Sequence, residues 1–417
     1  MCDTESKHAQ ELKMVLALKT SGIRPAAPTF EEVFRDSEEV AASLDCEAPV
    51  LCFSPATLTA QAKQFIDGFS GEVAYAVKAN PCPKVITVLA QAGVDVFDVA
   101  STMEMETISR TCPGAELHYH NPVKSRSEIA TAWHAFGCRR FAADSHEEIA
   151  KIAQTVGSSR GVEIAIRFCL PSQKASAHDF SSKFGADENT AAELMEYAAQ
   201  CGFAPVLTFH PGSQCTNPQA WVRHIEAAGR IAETAGITLT RLNVGGGFPA
   251  CYTGSSGPDL VTYFQVIADS VSTVFGGNPP ALECEPGRSI AAPAFSLLTS
   301  VKLVRARSAD LFLNDGIYGG LLEVTQVSDL LPFYRVLRNG QVVSTTDQHE
   351  FTVFGPTCDP LDVLPVPLLL PSDIRESDVI EFAGIGAYGT ATATSFNGYG
   401  SVSQVTVKNA YTGHGNC

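Results

Sequence analysis

The chain lacks the cysteine spacings that would make a metal or disulfide framework. Thirteen cysteines stand at 2, 46, 52, 82, 112, 138, 169, 201, 215, 251, 284, 358 and 417, with no CxxC and no two closer than six residues. Paired zinc spacing is absent, and an odd, scattered count is a poor disulfide set. Reduced thiols packed as small apolar side chains are expected, and no metal. Positive charge is also short. The 29 Lys and Arg against 45 Asp and Glu leave −16, which excludes a duplex-binding face, because phosphate neutralisation needs concentrated cations. No apolar run approaches the roughly 18 residues of a membrane span, and the mixed-charge start MCDTESKHAQELKMVLALKT is no secretory signal. A soluble, cytoplasmic protein is expected. What the 417 residues do have is apolar material, 45% of them with 18% charged, enough for a large core.

That material is arranged with a regular beat. Short β-rich runs recur at Val73–Val77, Val94–Val99, Glu116–His120, Arg140–Ala143, Glu163–Phe168, Pro205–His210, Leu242–Gly245 and Ala281–Cys284. Between them lie helical periodicities at Lys84–Ala92, Ser127–Phe136, His146–Gln154, Thr190–Gln200 and Ala220–Ala235. Strands alternating with helices predict βαβ units and a parallel sheet. Eight such strands predict an α/β fold, a closed (β/α)8 TIM-type barrel, over residues 46–290. An open doubly wound sheet is the alternative. Beyond 290 the helices drop out and turn signals separate strands at Ser296–Ala306, Gly340–Thr346, Glu350–Phe354, Asp378–Glu381 and Gln404–Asn409. Residues 291–417 therefore read as an all-β domain. The segment 1–45 fits neither pattern and is a candidate to join the β domain.

In a barrel, reactive groups collect at the C-terminal ends of the strands. The first predicted strand ends at Lys78, in AYAVKAN; this is either a surface lysine whose stem lies on apolar neighbours or an amine made nucleophilic by burial. The second leads into FDVAS at 97–101, with Glu104 a turn further. The sixth presents His210 and Ser213 in FHPGSQ, and the seventh ends in NVGGGFP, where Gly245, Gly246 and Gly247 let backbone approach a phosphate. The eighth ends in ECEPGR, with Glu285 and Arg288 on one loop. Each feature alone has a bland explanation: a turn, an ion pair, a solvated side chain. Together they answer pyridoxal 5′-phosphate (PLP). Lysine meets the aldehyde, glycine amides with Ser213 and Arg288 meet the phosphate, and a carboxylate, Glu285, keeps the ring nitrogen protonated.

At these residues the chain resembles the fold type III PLP-dependent decarboxylases, the ornithine, lysine and diaminopimelate decarboxylase family. The motifs are Tyr75–Asn80 (YAVKAN), Phe97–Ser101, His210–Gln214, Asn243–Pro249, Glu285–Arg288, Gly355–Asp359 (GPTCD) and Gly386–Tyr388. The resemblance implies a PLP-binding barrel with a C-terminal β domain, usually in homodimers that share active sites. It implies that Lys78 forms the Schiff base, that Glu285 partners the pyridine nitrogen and that His210 stacks on the ring. Ser213, Gly245, Gly246, Gly247, Gly287, Arg288 and Tyr388 would surround the phosphate, and Asp98 and Arg167 the ring substituents. Cys358, contributed by the partner subunit, would return a proton after carbon dioxide leaves.

Substrate choice rests on fewer residues. The resemblance places Asp359 at the distal end of the substrate, with Tyr318 and Phe396 also against it, and an anion there suits a cationic side chain. L-ornithine or L-lysine is then the expected substrate and polyamine biosynthesis the setting. One departure stands. After NDGIYG at 314–319 the ornithine-type pattern carries a second aspartate where this chain has Val327; Asp329 falls two places late and Glu323 comes earlier. Either acid could serve, or a specialised, less charged amino acid is the substrate. The rival readings are an alanine-racemase-type isomerase, which would want arginine where Glu285 stands, and a non-catalytic regulatory homologue, which would have lost Lys78, the glycines or Cys358.

Overall fold

A computed structural model describes residues 33–157, 160–171, 183–255, 257–326 and 331–413. The chain divides into two compact units.

The first unit holds Ala62–Phe248 and Pro258–Gly287. Eight parallel strands close into a barrel: β1 (Glu72–Ala76), β2 (Val96–Val99), β3 (Glu116–Tyr119), β4 (Arg140–Ala143), β5 (Glu163–Arg167), β6 (Ala204–Thr208), β7 (Arg241–Asn243) and β8 (Ala281–Cys284). β8 returns to β1 through the register Cys284↔Val73, which removes every free edge. All eight predicted runs became barrel strands, within a few residues. Their shortness and near-continuous burial are what a sheet covered on its outer face by helices requires. The helices start where the sequence offers caps. Ser125 accepts from Glu128 N–H while the Glu128 carboxylate takes Ser125 N–H, a reciprocal box opening Arg126–His134 and stabilising it by about 1 kcal/mol. Ser101, Ser145 and Asp187 cap three other helices, their side chains accepting the N–H of Glu104, Glu148 and Thr190.

The starts of the strands carry an ionic layer. Arg140 bonds Glu72 and lies 3.3 Å from Glu116 and 3.6 Å from Glu163; Arg241 reaches Glu72 at 3.2 Å and Glu163 at 3.3 Å. This floor satisfies charges that a purely aliphatic barrel interior would leave unpaired.

The second unit comprises 33–61, 249–257 and the chain from Arg288 onward. It is built on a mixed sheet centred on the long strand Phe295–Arg305, which pairs antiparallel with Val50–Phe53, Val379–Ala383 and Asp310–Leu313. Val33–Phe34 lies parallel to Ser403–Val407, which lies parallel to Val50–Phe53. The strand Val50–Phe53 therefore belongs to this sheet, although it lies inside the 46–290 segment expected for the barrel. Ten described cysteines are free thiols. Cys251 is disulfide-bonded, a departure from the expectation of reduced thiols; sequence spacing carries no information about which distant thiols meet in space.

Candidate active site

The barrel strands bring the residues singled out in this unit to one end. Lys78 sits in the single turn Val77–Ala79 that ends β1, its side chain 43% exposed and its Nζ 2.9 Å from Asp98 Oδ2 on β2. Asp98 is buried, which raises its carboxyl above the ordinary range while the Lys78 charge pulls the other way. Arg167 ends β5; burial lowers its pKa against the attraction of Glu285 and Asp98.

His210 follows β6 and accepts Gly212 N–H on Nδ1 at 3.1 Å. Burial first, then the nearby Arg167 and Lys78 charges, push it down to about 3. The ring is thus neutral across the physiological range. This has a measurable consequence. Between the ordinary 6.5 and about 3 the unfolded chain binds a proton that folded His210 refuses, so stability falls as pH drops through that window. Urea unfolding of the apo chain should show wild type losing about 2 kcal/mol relative to His210→Gln between pH 7.5 and 4.5. A gap that stays constant with pH would contradict the neutral ring.

The glycine loop follows β7 and is packed backbone to backbone. A Cβ on Gly245, at φ +68°, would lie 2.0 Å from Phe209 O; one on Gly247, at φ +92°, would lie 2.4 Å from Gly212 O. No other residue type fits either position without moving the His210 loop. Cys215 N–H ties that loop to Gly247 O at 2.8 Å, and Glu285 N–H donates to Gly245 O at 2.8 Å. Ser213 lies in the same His210 loop. Gly287 closes the set: a Cβ there would meet Ala79 Cβ at 2.8 Å, next to Lys78.

Glu285, 8% exposed, receives two donors on Oε1: His120 Nδ1 at 2.5 Å and Asn243 Nδ2 at 2.6 Å. Burial alone would raise its pKa, but the His120 charge and hydrogen bond, with Lys78 and Asn243, hold it well below the usual carboxylate range. The sequence reading did not find His120 or Asn243. The signal was there: His118 and His120 alternate along β3 and just beyond it, as Glu283 and Glu285 do along β8 and just beyond it, so both pairs point to one side.

The second unit holds the other residues. Arg288 opens the short helix Arg288–Ala291, buried, with its guanidinium bonded to Glu323, Nη1 donating to Tyr252 Oη at 3.2 Å, and the Tyr388 ring 5.1 Å away. Glu323, one of the two acids considered for the substrate, is thus engaged by Arg288. Asp329, the other, lies outside the described residues. Tyr318 Oη donates to Asp359 Oδ2 at 2.7 Å, and its ring lies 5.0 Å from Phe396. Leu361 N–H and the Tyr318 hydroxyl lower the Asp359 pKa, keeping it anionic. Cys358 is exposed, its N–H donating to Asn397 Oδ1 at 3.1 Å. The loop carrying both is pinned by Asp362, also missed from sequence. Its oxygens accept Ile317 N–H at 3.1 Å, Thr357 N–H at 2.9 Å and Thr357 Oγ1–H at 2.7 Å.

A buried carboxylate held ionised, an amine at a strand end and a glycine loop wrapped around a neutral imidazole form a donor set that fits PLP. Comparison with known proteins agrees. Residues 55–292 match the family described as pyridoxal-dependent decarboxylase, pyridoxal binding domain. The chain is 32% identical over 334 residues to a lysine/ornithine decarboxylase of Selenomonas ruminantium, covering 78% of this chain and 81% of the relative. It is 31% identical over 349 residues to decarboxylase flvG of Aspergillus flavus, covering 78% of each. Among solved structures, the arginine decarboxylase of Paramecium bursaria Chlorella virus superposes with a TM-score of 0.76 at 26% identity, covering 86% of this chain and 96% of that one. The chain belongs to the pyridoxal-dependent decarboxylase family. It is a fold type III enzyme, an amino-acid carboxy-lyase with PLP as its cofactor.

Proposed function

We propose that the enzyme decarboxylates a basic diamino acid, L-ornithine or L-lysine, releasing putrescine or cadaverine. The observation that carries this is Asp359, kept anionic by Tyr318 Oη and Leu361 N–H and so suited to a distal ammonium. Relatives named as lysine/ornithine decarboxylases support it. A second reading, a specialised or less charged amino acid, is favoured by Glu323 being held on Arg288 rather than free for an amine.

PLP, when bound, supplies an aldehyde for the substrate amine and a ring that accepts the electrons left when carbon dioxide departs. The residues of the chain do the rest. The Lys78 amine would hold the PLP aldehyde. Asp98, 2.9 Å from Nζ, keeps a proton available there. Glu285 would hold the ring-nitrogen proton and His210 would lie against one face of the ring. Gly245, Gly246, Gly247, Ser213, Gly287, Arg288 and Tyr388 are assigned to the phosphate, and Arg167 to the ring substituents. Cys358 returns the proton to the substrate α-carbon. We assign the exposed Cys358 and Phe396, with Leu361 at 68% exposure and the partly exposed Asp359, to a face covered by a second copy in a homodimer.

A carbon dioxide release screen over free amino acids, with products weighed by mass spectrometry, tests the substrate. Asp359→Ala should raise KM for ornithine or lysine roughly 10- to 100-fold, the worth of a charge-assisted hydrogen bond, and leave a neutral amino acid nearly unaffected. Equal effects on both would remove the distal-charge assignment. Cys358→Ala should keep the cofactor but divert product from amine to aldehyde; an unchanged amine yield would reject Cys358 as the proton donor.

A further inference from the structure

Barrel interiors are ordinarily filled by layers of branched aliphatic side chains. Here two successive levels are polar. His118 Nδ1 lies 2.7 Å from Glu283 Oε1, and His120 Nδ1 lies 2.5 Å from Glu285 Oε1, with the two imidazole rings 5.3 Å apart. All four residues are buried. Burying two acids and two imidazoles costs several kcal/mol unless each is paired, so the pairs call for an account beyond packing.

Asn243 fixes the hydrogen positions. Its Oδ1 accepts Gly245 N–H at 2.8 Å, so its Nδ2 is the donor to Glu285 Oε1 at 2.6 Å and to Glu283 Oε1 at 3.0 Å. The ionised Glu285 carboxylate can only accept, so at 2.5 Å His120 Nδ1 must carry the hydrogen and donate to Oε1, and Asn243 Nδ2, 3.3 Å from Nδ1, does not bond it. Oε1 is then saturated by two donors, and Oε2 is the oxygen able to meet a ligand. The groups facing His120 are Glu285 and Glu283 from β8 and its following loop, His118 from β3, Asn243 from β7 and Asp98 from β2. The ligand atoms of His118, His120 and Glu283 lie within 4.8 Å of one another. Direct hydrogen bonds at 2.5 and 2.7 Å tie each imidazole to one carboxylate.

We propose that His120 is a positioning residue that, with Asn243, weakens the basicity of Glu285 and turns its Oε2 to the cofactor, so that the shared proton stays on the ring nitrogen. The proposal rests on the assignment of Glu285 to that nitrogen. In a carboxylate–pyridine pair sharing one proton, the proton sits on the stronger base. Burial makes a carboxylate a stronger base, and hydrogen-bond donation to it makes it a weaker one. Without His120 the proton moves to Glu285, the ring loses its charge, and it accepts electrons less well.

The test uses holoenzyme reconstituted with PLP carrying 15N at the ring nitrogen. Wild type should show the protonated resonance. His120→Phe, which keeps a planar ring without a donor, should move it toward the unprotonated position and lower kcat at least roughly tenfold with KM changed less than about twofold. His120→Asn, which keeps a donor, should restore part of both. A protonated resonance unchanged in His120→Phe, or a loss of kcat in His120→Asn equal to that in His120→Phe, would overturn the proposal. If Glu285→Gln also left the wild-type resonance in place, the assignment of Glu285 would fall, and this inference with it.

Discussion

Lys78→Ala should lose turnover by roughly 10³-fold or more, together with the visible absorbance of the bound cofactor, while the fold survives. The fold survives because the partner left behind can adjust. Asp98 is buried and its carboxyl is already raised by burial, with Lys78 the main influence opposing that rise. Removing the ammonium lets Asp98 take a proton and become neutral, which avoids an unpaired buried charge. Lys78→Arg separates charge from chemistry. It keeps a cation opposite Asp98 but offers no amine that can bond the aldehyde, so it should be as inactive as the alanine variant. Absorbance, turnover and circular dichroism on the three proteins check this. Activity in Lys78→Arg above a few per cent of wild type would show that Lys78 acts only as a charge.

Glu285→Gln should lower kcat by about 10²- to 10³-fold, the scale of losing one preorganised electrostatic partner of the reacting system. The amide is nearly isosteric, and its oxygen can still accept from His120 and Asn243, so the barrel should remain folded and cofactor should still bind. What disappears is the negative charge, which is held ionised in spite of burial by His120, Lys78 and Asn243. The measurement is kcat against cofactor affinity. A large fall in affinity with kcat preserved would mean that Glu285 anchors the cofactor without supporting its electronics.

The barrel was legible because parallel strands buried on both faces leave a plain trace: short apolar runs spaced by helical periods. Even the weakest, Leu242–Gly245, corresponds to β7 at Arg241–Asn243. The β domain was less legible. Asp310–Leu313, Tyr334–Arg338 and Leu368–Pro371 were not anticipated, and Gly340–Thr346 shrank to Gln341–Val342. Strands in a mixed sheet are selected by which neighbours they pair with, and that information is not local. Val50–Phe53 shows this well. It reads as one more apolar run ahead of β1, yet its partners are Phe295–Leu298 and Ser403–Thr406, more than 200 residues away.

The candidate site divides along the same line. The sequence alone determined the residues with a chemical signature, Lys78, His210, the Gly245–Gly247 run and Glu285, because each must be one residue type and each ends a recognisable strand. Only the tertiary structure decided what those groups touch. It set His120 and Asn243 on one oxygen of Glu285, Asp362 under the loop of Cys358, and Glu323 on Arg288. Hydrogen bonds and charge pairs act over a few ångströms, and chain folding brings those ångströms together from positions 5 to 165 residues apart.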